Sequence, residues 1–183
     1  EFLDHITPGM DKEISSEFMK ILKKQGLKFH LNTKVEKIVK NNNGVRIDTI
    51  DKTGKKEELD SDVVLIAVGR KAFTKHLNLE KLGIELDEKK RINVNKKFQT
   101  NIENIYAIGD VIQGPMLAHK AEEEGIAVAE LIAGQSGHVN YNVIPGVIYT
   151  TPEVAAIGDT EEQLIEKKLK YKVGKFPFMA NSR

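Results

Sequence analysis

Apolar residues along this chain fall into three patterns, and each predicts a different element. From Lys12 to Gln25 they recur at helical spacing, with Ile14, Phe18, Ile21 and Leu22 on one face. Asp11 precedes this run as an N-cap and Gly26 follows as a stop, so an amphipathic helix is expected. From residue 27 onward the pattern becomes short and half-polar. Leu27–Leu31 reads as a short strand. Val35–Val39 and Val45–Ile50 bracket Asn41-Asn42-Asn43-Gly44, residues that tolerate the positive φ of a tight hairpin turn. Thr53-Gly54-Lys55-Lys56 makes a second turn, and the expected product is a meander of half-exposed antiparallel strands. Val63–Val68 shows the third pattern. It is apolar at every position, as in a strand covered on both faces, and it ends in Gly69-Arg70.

Farther along, Leu77–Leu82 reads as a short helix stopped by Gly83. Ile92–Phe98 is expected to be extended and to lead into a strand over Ile105–Ile108. A helix is expected to open at Gly114-Pro115 and run to about Ala133, with Gly134 as its stop. Ala118, Ala121, Gly125 and Ala129 form a small-residue stripe on it, where another element can pack closely. A polar linker follows at Gly134–Val139. Val147–Tyr149, Val154–Ile157 and Lys172–Phe178 then read as strands, with Thr151-Pro152-Glu153 as a strand-edge turn. Thr160 to about Lys168 reads as a helix whose Thr160 and Gln163 form a capping box. This last region has the pattern of the start of a β-rich domain.

Composition narrows the function. The 183 residues are 40% hydrophobic and 30% charged, and 28 Lys+Arg against 27 Asp+Glu leave a formal net charge of +1. Neither a global field nor a basic tract favours nucleic acid. No apolar run approaches the roughly 20 residues that span a bilayer. Cysteine is absent, which excludes disulfides, thiolate metal sites and thiol chemistry within these residues. His5, His30, His76, His119 and His138 are scattered, without the i, i+4 pairing of a helical metal site, so no metal is expected. Glu1-Phe2-Leu3-Asp4 has the character of neither a secretion signal nor a basic transit segment. The chain is expected to be a segment of a longer polypeptide.

The stretch from Ile105 to Gly125 carries the candidate chemistry. An apolar run ends in Gly109-Asp110, and a helix start follows a few residues later. That puts a carboxylate at the end of a strand and a helix N-terminus beside it, the kind of corner where open α/β sheets bind nucleotide cofactors. Asp110 can accept hydrogen bonds from sugar-like hydroxyls. The helix end offers unpaired N–H groups and partial positive charge to a phosphate or an electron-rich ring. Gly69 ends its own apolar run in the same way, and glycine lets a backbone approach a flat ligand closely. Glu122-Glu123-Glu124 reads as a solvated helix face and does not suggest paired acid–base chemistry. His119 reads as a packing residue. No nucleophile–base–orienter constellation is present.

The Gly109–Gly125 stretch resembles the dihydrolipoamide dehydrogenase family, the flavoproteins of 2-oxo-acid dehydrogenase complexes. Leu31-Asn32-Thr33-Lys34-Val35, Ala67-Val68-Gly69-Arg70, and Gly174-Lys175-Phe176-Pro177-Phe178 with Ala180-Asn181-Ser182-Arg183 extend the resemblance to nearly the whole chain. Met116-Leu117-Ala118-His119 and the closing Asn-Ser-Arg favour this family over glutathione and mercuric reductases. The resemblance implies an α/β fold: partial FAD/NAD(P)-binding Rossmann-like three-layer domains, followed by the start of an α+β dimerisation domain. It implies that residues 1–71 are the C-terminal half of an NAD-binding domain. Residues 72–138 would be the C-terminal part of an FAD-binding domain, and 139–183 the start of the dimerisation domain.

The implied cofactors are FAD and NAD. The implied activity is oxidation of protein-bound dihydrolipoamide, with electrons passed through FAD to NAD. By resemblance, Glu1 accepts the adenosine ribose hydroxyls of NAD, and its charge disfavours the 2′-phosphate of NADP. Val35 and Gly69 match further NAD contacts. Asp110 matches the ligand of the FAD ribityl chain, and Met116, Leu117, Ala118 and His119 match the stretch beside the isoalloxazine ring. The chain departs from the family's usual residues at Thr151, Ala72 and Met179, none of them a matched cofactor contact. The family's redox cysteine pair and its His–Glu base have no counterpart here, so no catalytic residue is assigned and the chain alone is expected to be inactive. A homodimer, lipoyl domains and a 2-oxo-acid dehydrogenase complex are the implied partners, with no nucleic acid and no membrane. The bacterial cytoplasm is the expected compartment, or the mitochondrial matrix if the source is eukaryotic. Another flavoprotein disulfide reductase, or a truncated non-catalytic nucleotide-binding module, is the alternative.

Overall fold

The computed structural model describes residues 1–180 and separates into two compact units. Residues 1–65, with the stretch from Asp159 onward, make one, and Ile66–Gly158 make the other.

In the first unit, helix α1 spans Lys12–Lys24 and buries Ser15, Phe18 and Leu22, the face that the spacing marks. It stops where Gly26 takes a φ of 100°. Asp11 occupies the N-cap position but does not bond its own helix. Its Oδ1 accepts instead from the Glu161 N–H at 2.8 Å. Glu162 Oε1 returns the bond to the Lys12 N–H at 3.2 Å. Two helix N-termini thus satisfy each other's orphan N–H groups with carboxylates, which the positive ends of both helix dipoles favour.

Strands β1 (Thr33–Asn41), β2 (Gly44–Asp51) and β3 (Lys56–Ser61) form the expected antiparallel meander. Asn41 pairs with Gly44, so Asn42 and Asn43 alone make the first turn. Gly44 is obligatory there, because a Cβ would lie 2.5 Å from the Ser61 carbonyl oxygen. The register shifts between Val35 and Lys37, a bulge at Glu36. Glu161–Glu166 form a short helix with the capping box: the Thr160 hydroxyl accepts from the Gln163 N–H, and Gln163 Oε1 accepts from the Thr160 N–H.

Two expected strands of this unit are not formed. Leu27–Leu31 has no ladder. Its ends are held by single bonds, from the Leu27 N–H to the Leu22 carbonyl and from the Glu1 ammonium to the His30 carbonyl. Lys172–Phe178 pairs with no strand among the described residues, and Phe176 and Phe178 are exposed.

The second unit has its core where loops and two helices meet. Leu79, Ile84, Ile92, Phe98, Ala107, Ile112, Ala127 and Val139 are its buried apolar residues. Helix α2 (Leu79–Leu82) ends at Gly83 with a φ of 69°. Helix α3 (Ala118–Ile132) starts three residues after Pro115, later than expected, because Leu117 is extended with φ −123° and ψ 135°. Gly134, with a φ of 76°, follows its C-terminus. The small-residue stripe packs as expected. A Cβ on Gly109 would sit 3.1 Å from Ala121 Cβ, and one on Gly125 would sit 3.5 Å from Ile108 Cδ1.

Ile105–Ile108 is extended but makes only one bridge, at Tyr106 opposite Gln99, rather than a laddered strand. Strands β4 (Gly146–Ile148) and β5 (Val154–Ala156) pair antiparallel around the Thr151–Glu153 turn.

Val63–Val68 is the largest departure. It forms no strand among the described residues, and Leu65 and Val68 are 87% and 92% exposed. A strand with two apolar faces forms only between neighbours that take its hydrogen bonds and cover both faces. Both sheets among the described residues are antiparallel meanders or hairpins, and Val63–Val68 is a strand of neither.

Candidate functional site

Gly109 turns the extended Ile105–Ile108 segment into a single helical turn, Gly109–Val111. Its φ of 74° is the left-handed region that glycine adopts without a Cβ penalty. Asp110 follows with its side chain 47% exposed, and its Oδ2 accepts from Arg70 Nη1 at 3.1 Å. The same guanidinium donates to the Met116 carbonyl. Arg70 therefore ties together the three segments that the sequence marks: its own Gly69 turn, Asp110 and the approach to α3. Gly69 itself has a φ of 116°.

No side chain caps the N-terminus of α3, and its first turn holds no acidic residue. Its N–H groups and the positive end of its dipole remain directed outward past Met116–His119. Met116, Leu117 and His119 are half-buried and Ala118 is exposed. A cavity of about 740 Å³ adjoins this stretch, with Phe98, Ile112, Gly114, Leu117 and Val139 among its lining residues.

Beneath the turn is a polar cluster that the sequence reading missed. Glu124, assigned to a solvated face, has no exposed surface, and Lys120 is 1% exposed. Lys120 Nζ lies 2.9 Å from Glu124 Oε1 and 3.0 Å from Oε2. Glu124 Oε2 accepts from the Gly109 N–H at 2.7 Å, and Lys120 Nζ donates to the Gly109 carbonyl at 3.0 Å. The Tyr141 hydroxyl donates to Glu124 Oε1 at 2.9 Å. Burial, then the bond to the Glu124 carboxylate and its charge, push the Tyr141 phenol up to about 12. A signal was available in the sequence. Lys120 and Glu124 continue at i, i+4, i+7 and i+11 into Ala127 and Leu131, which face the core.

Glu1 and Val35 belong to the first unit. Glu1 Oε1 accepts from the Leu3 N–H at 3.0 Å, and the Glu1 carbonyl accepts from the Thr33 N–H at 2.9 Å. This sets Glu1 at the start of β1, where Val35 is 51% exposed. Gly69, Asp110 and Met116–His119 lie in the second unit. Among the described residues no group of three or more His, Cys, Asp or Glu is arranged to hold a metal ion. None of their helices is long and apolar enough to cross a membrane.

Comparison with known proteins identifies the family. Residues 1–125 match the pyridine nucleotide-disulphide oxidoreductases. The chain belongs to this family. Residues 144–183 match the dimerisation domain of the pyridine nucleotide-disulphide oxidoreductases. The fold class is therefore a partial pyridine nucleotide-disulphide oxidoreductase domain followed by the start of a dimerisation domain, as expected. Over its whole length the chain is 57% identical to the mitochondrial dihydrolipoyl dehydrogenase of Homo sapiens and 53% identical to that of Pisum sativum. It is 51% identical to the leghemoglobin reductase of Glycine max. It spans 36%, 37% and 35% of the lengths of these three proteins. Among solved structures, the HOCl-induced flavoprotein disulfide reductase RclA from Escherichia coli superposes with a TM-score of 0.86 at 29% identity, over 100% of this chain and 41% of that one. The expected resemblance to the dihydrolipoamide dehydrogenases holds over the whole chain. The Asn181–Arg183 part of it lies outside the described residues.

Proposed function

We propose that this chain is part of an FAD-dependent dihydrolipoyl dehydrogenase, which oxidises protein-bound dihydrolipoamide and reduces NAD. The observation that carries the reading is the Arg70-bridged arrangement of Asp110 beside the open N-terminus of α3. Its donor set suits FAD. A half-exposed carboxylate can take the hydroxyls of a ribityl chain. Helix N–H groups can face the ring at Met116, Leu117, Ala118 and His119, where their positive end favours negative charge. Bound there, FAD would supply the two-electron chemistry between a thiol pair and a nicotinamide. Gly69 leaves room for a flat ring against its backbone.

On this reading Glu1 and Val35 contact NAD, the carboxylate of Glu1 selecting the free ribose hydroxyls over a 2′-phosphate. Residues 1–71 serve the NAD-binding domain, 72–138 the FAD-binding domain and 139–183 the dimerisation domain. The partners are a second subunit, lipoyl domains and a 2-oxo-acid dehydrogenase complex. In a eukaryotic source the compartment is the mitochondrial matrix, in keeping with the names of the mitochondrial relatives, and in a bacterial source it is the cytoplasm. The chain holds no cysteine, so the thiol relay of such an enzyme cannot come from these residues.

The test is expression of the complete reading frame that encodes the chain. A yellow protein that forms NADH from dihydrolipoamide, and loses its flavin on Asp110→Ala, is expected. A colourless protein, or a flavoprotein active on glutathione disulfide or mercuric ion but not on dihydrolipoamide, would overturn the reading.

A further inference from the structure

Burying two full charges is costly, and an apolar pair of similar volume often fills such a site with no loss of stability. Lys120 and Glu124 stand on the face that Ala127 and Leu131 continue with apolar side chains, so an apolar pair would fit the pattern there. What an apolar pair cannot do is bond both polar groups of the Gly109 peptide. Glu124 takes its N–H and Lys120 takes its C=O.

Those groups need partners. Ile105–Ile108 makes one bridge rather than a ladder, so no neighbouring strand bonds the Gly109 N–H. The turn itself closes with a long 3.3 Å bond from the Ile112 N–H to the Gly109 carbonyl. Glu124 is held in turn from its far side by the Tyr141 hydroxyl. The stem of Lys120 runs against Gly114, where a Cβ would lie 2.6 Å from Lys120 Cε, so the path of that side chain also fixes the loop on the far side of Asp110.

We infer that Lys120 and Glu124 are positioning residues whose buried ion pair pins the Gly109 peptide and so holds Asp110 in place to receive the flavin. The pinning stands on the geometry alone, while its consequence for flavin rests on the proposed function.

The test uses the flavoprotein expressed from the complete reading frame and a double-mutant cycle. Lys120→Met with Glu124→Met removes the charges together and leaves no lone buried ion. Flavin affinity of the folded variant should fall by about tenfold or more, and the visible flavin spectrum should shift. In an Asp110→Asn background the same pair of substitutions should change affinity by less than about twofold, since the route through Asp110 is already cut. Unchanged affinity in the folded double variant, or losses that multiply in the Asp110→Asn background, would overturn the inference. If the double variant does not fold, Tyr141→Phe carries the same cycle by removing one bond to Glu124 at a half-buried position. Hydrogen exchange at the Gly109 amide separates the two claims. Faster exchange in the double variant of a protein without flavin affinity would uphold the pinning while sinking the functional reading, and unchanged exchange would sink the pinning itself.

Discussion

Tyr141 keeps its proton well beyond the ordinary phenol range because burial disfavours the phenolate and Glu124 holds its hydrogen. A folded value raised to about 12 means that its contribution to stability is complete below pH 10, the unfolded value, and is lost as pH rises through about 12. An ultraviolet titration of the four tyrosines should therefore show a late-ionising group that disappears in Tyr141→Phe. The opposite sign applies at Asp87. The Arg91 N–H, then the Arg91 guanidinium, hold its carboxyl below the usual range. Its stabilising effect is complete above about pH 4 and is lost as pH falls through the depressed folded value. Urea midpoints of wild type and Asp87→Asn should differ at pH 7 and converge on acidification. Removing only one charge of the buried pair is far harsher. Glu124→Ala leaves Lys120 buried without its counter-ion and should cost about 3–5 kcal/mol in denaturant unfolding. At this scale the sequence named Asp110, Gly69 and Met116–His119 through local motifs. It missed Glu124 because adjacent glutamates look alike until a helix face is assigned.

At the scale of elements, those defined by their own residues formed where the pattern put them. Helix α1 needs only its apolar face and a terminal glycine, and the meander needs only Asn and Gly at its turn. The capping box at Thr160 likewise uses residues three apart, and Thr160→Ala should cost about 1 kcal/mol, read from the thermal midpoint. What the residues of one element could not specify was the partner. Asp11 caps the helix that begins at Glu161 rather than its own, because the carboxylate of Glu162 is there to return the bond. Val63–Val68 has the composition of a strand, but a doubly apolar strand depends wholly on its neighbours. Its exposure makes a specific prediction for the 183-residue chain: light scattering should report self-association, and Leu65→Lys should reduce it.

For the molecule as a whole, the absence of cysteine makes the sharpest prediction. The 183-residue chain should show no lipoamide-dependent NADH oxidation above background, whether or not flavin is added. Measurable turnover would mean that the thiol relay is dispensable. The sequence by itself determined the family, the Gly109–Asp110 corner, the hairpin turn and the helices, because motifs and periodicity act over a few residues. Only the tertiary structure decided that Arg70 meets both Asp110 and the Met116 carbonyl, 40 and 46 residues away in sequence. It alone decided that Glu124 and Lys120 turn inward to hold Gly109. Such contacts depend on which faces the packed chain buries, and burial of a charge is permitted only where partners from distant segments converge to satisfy it.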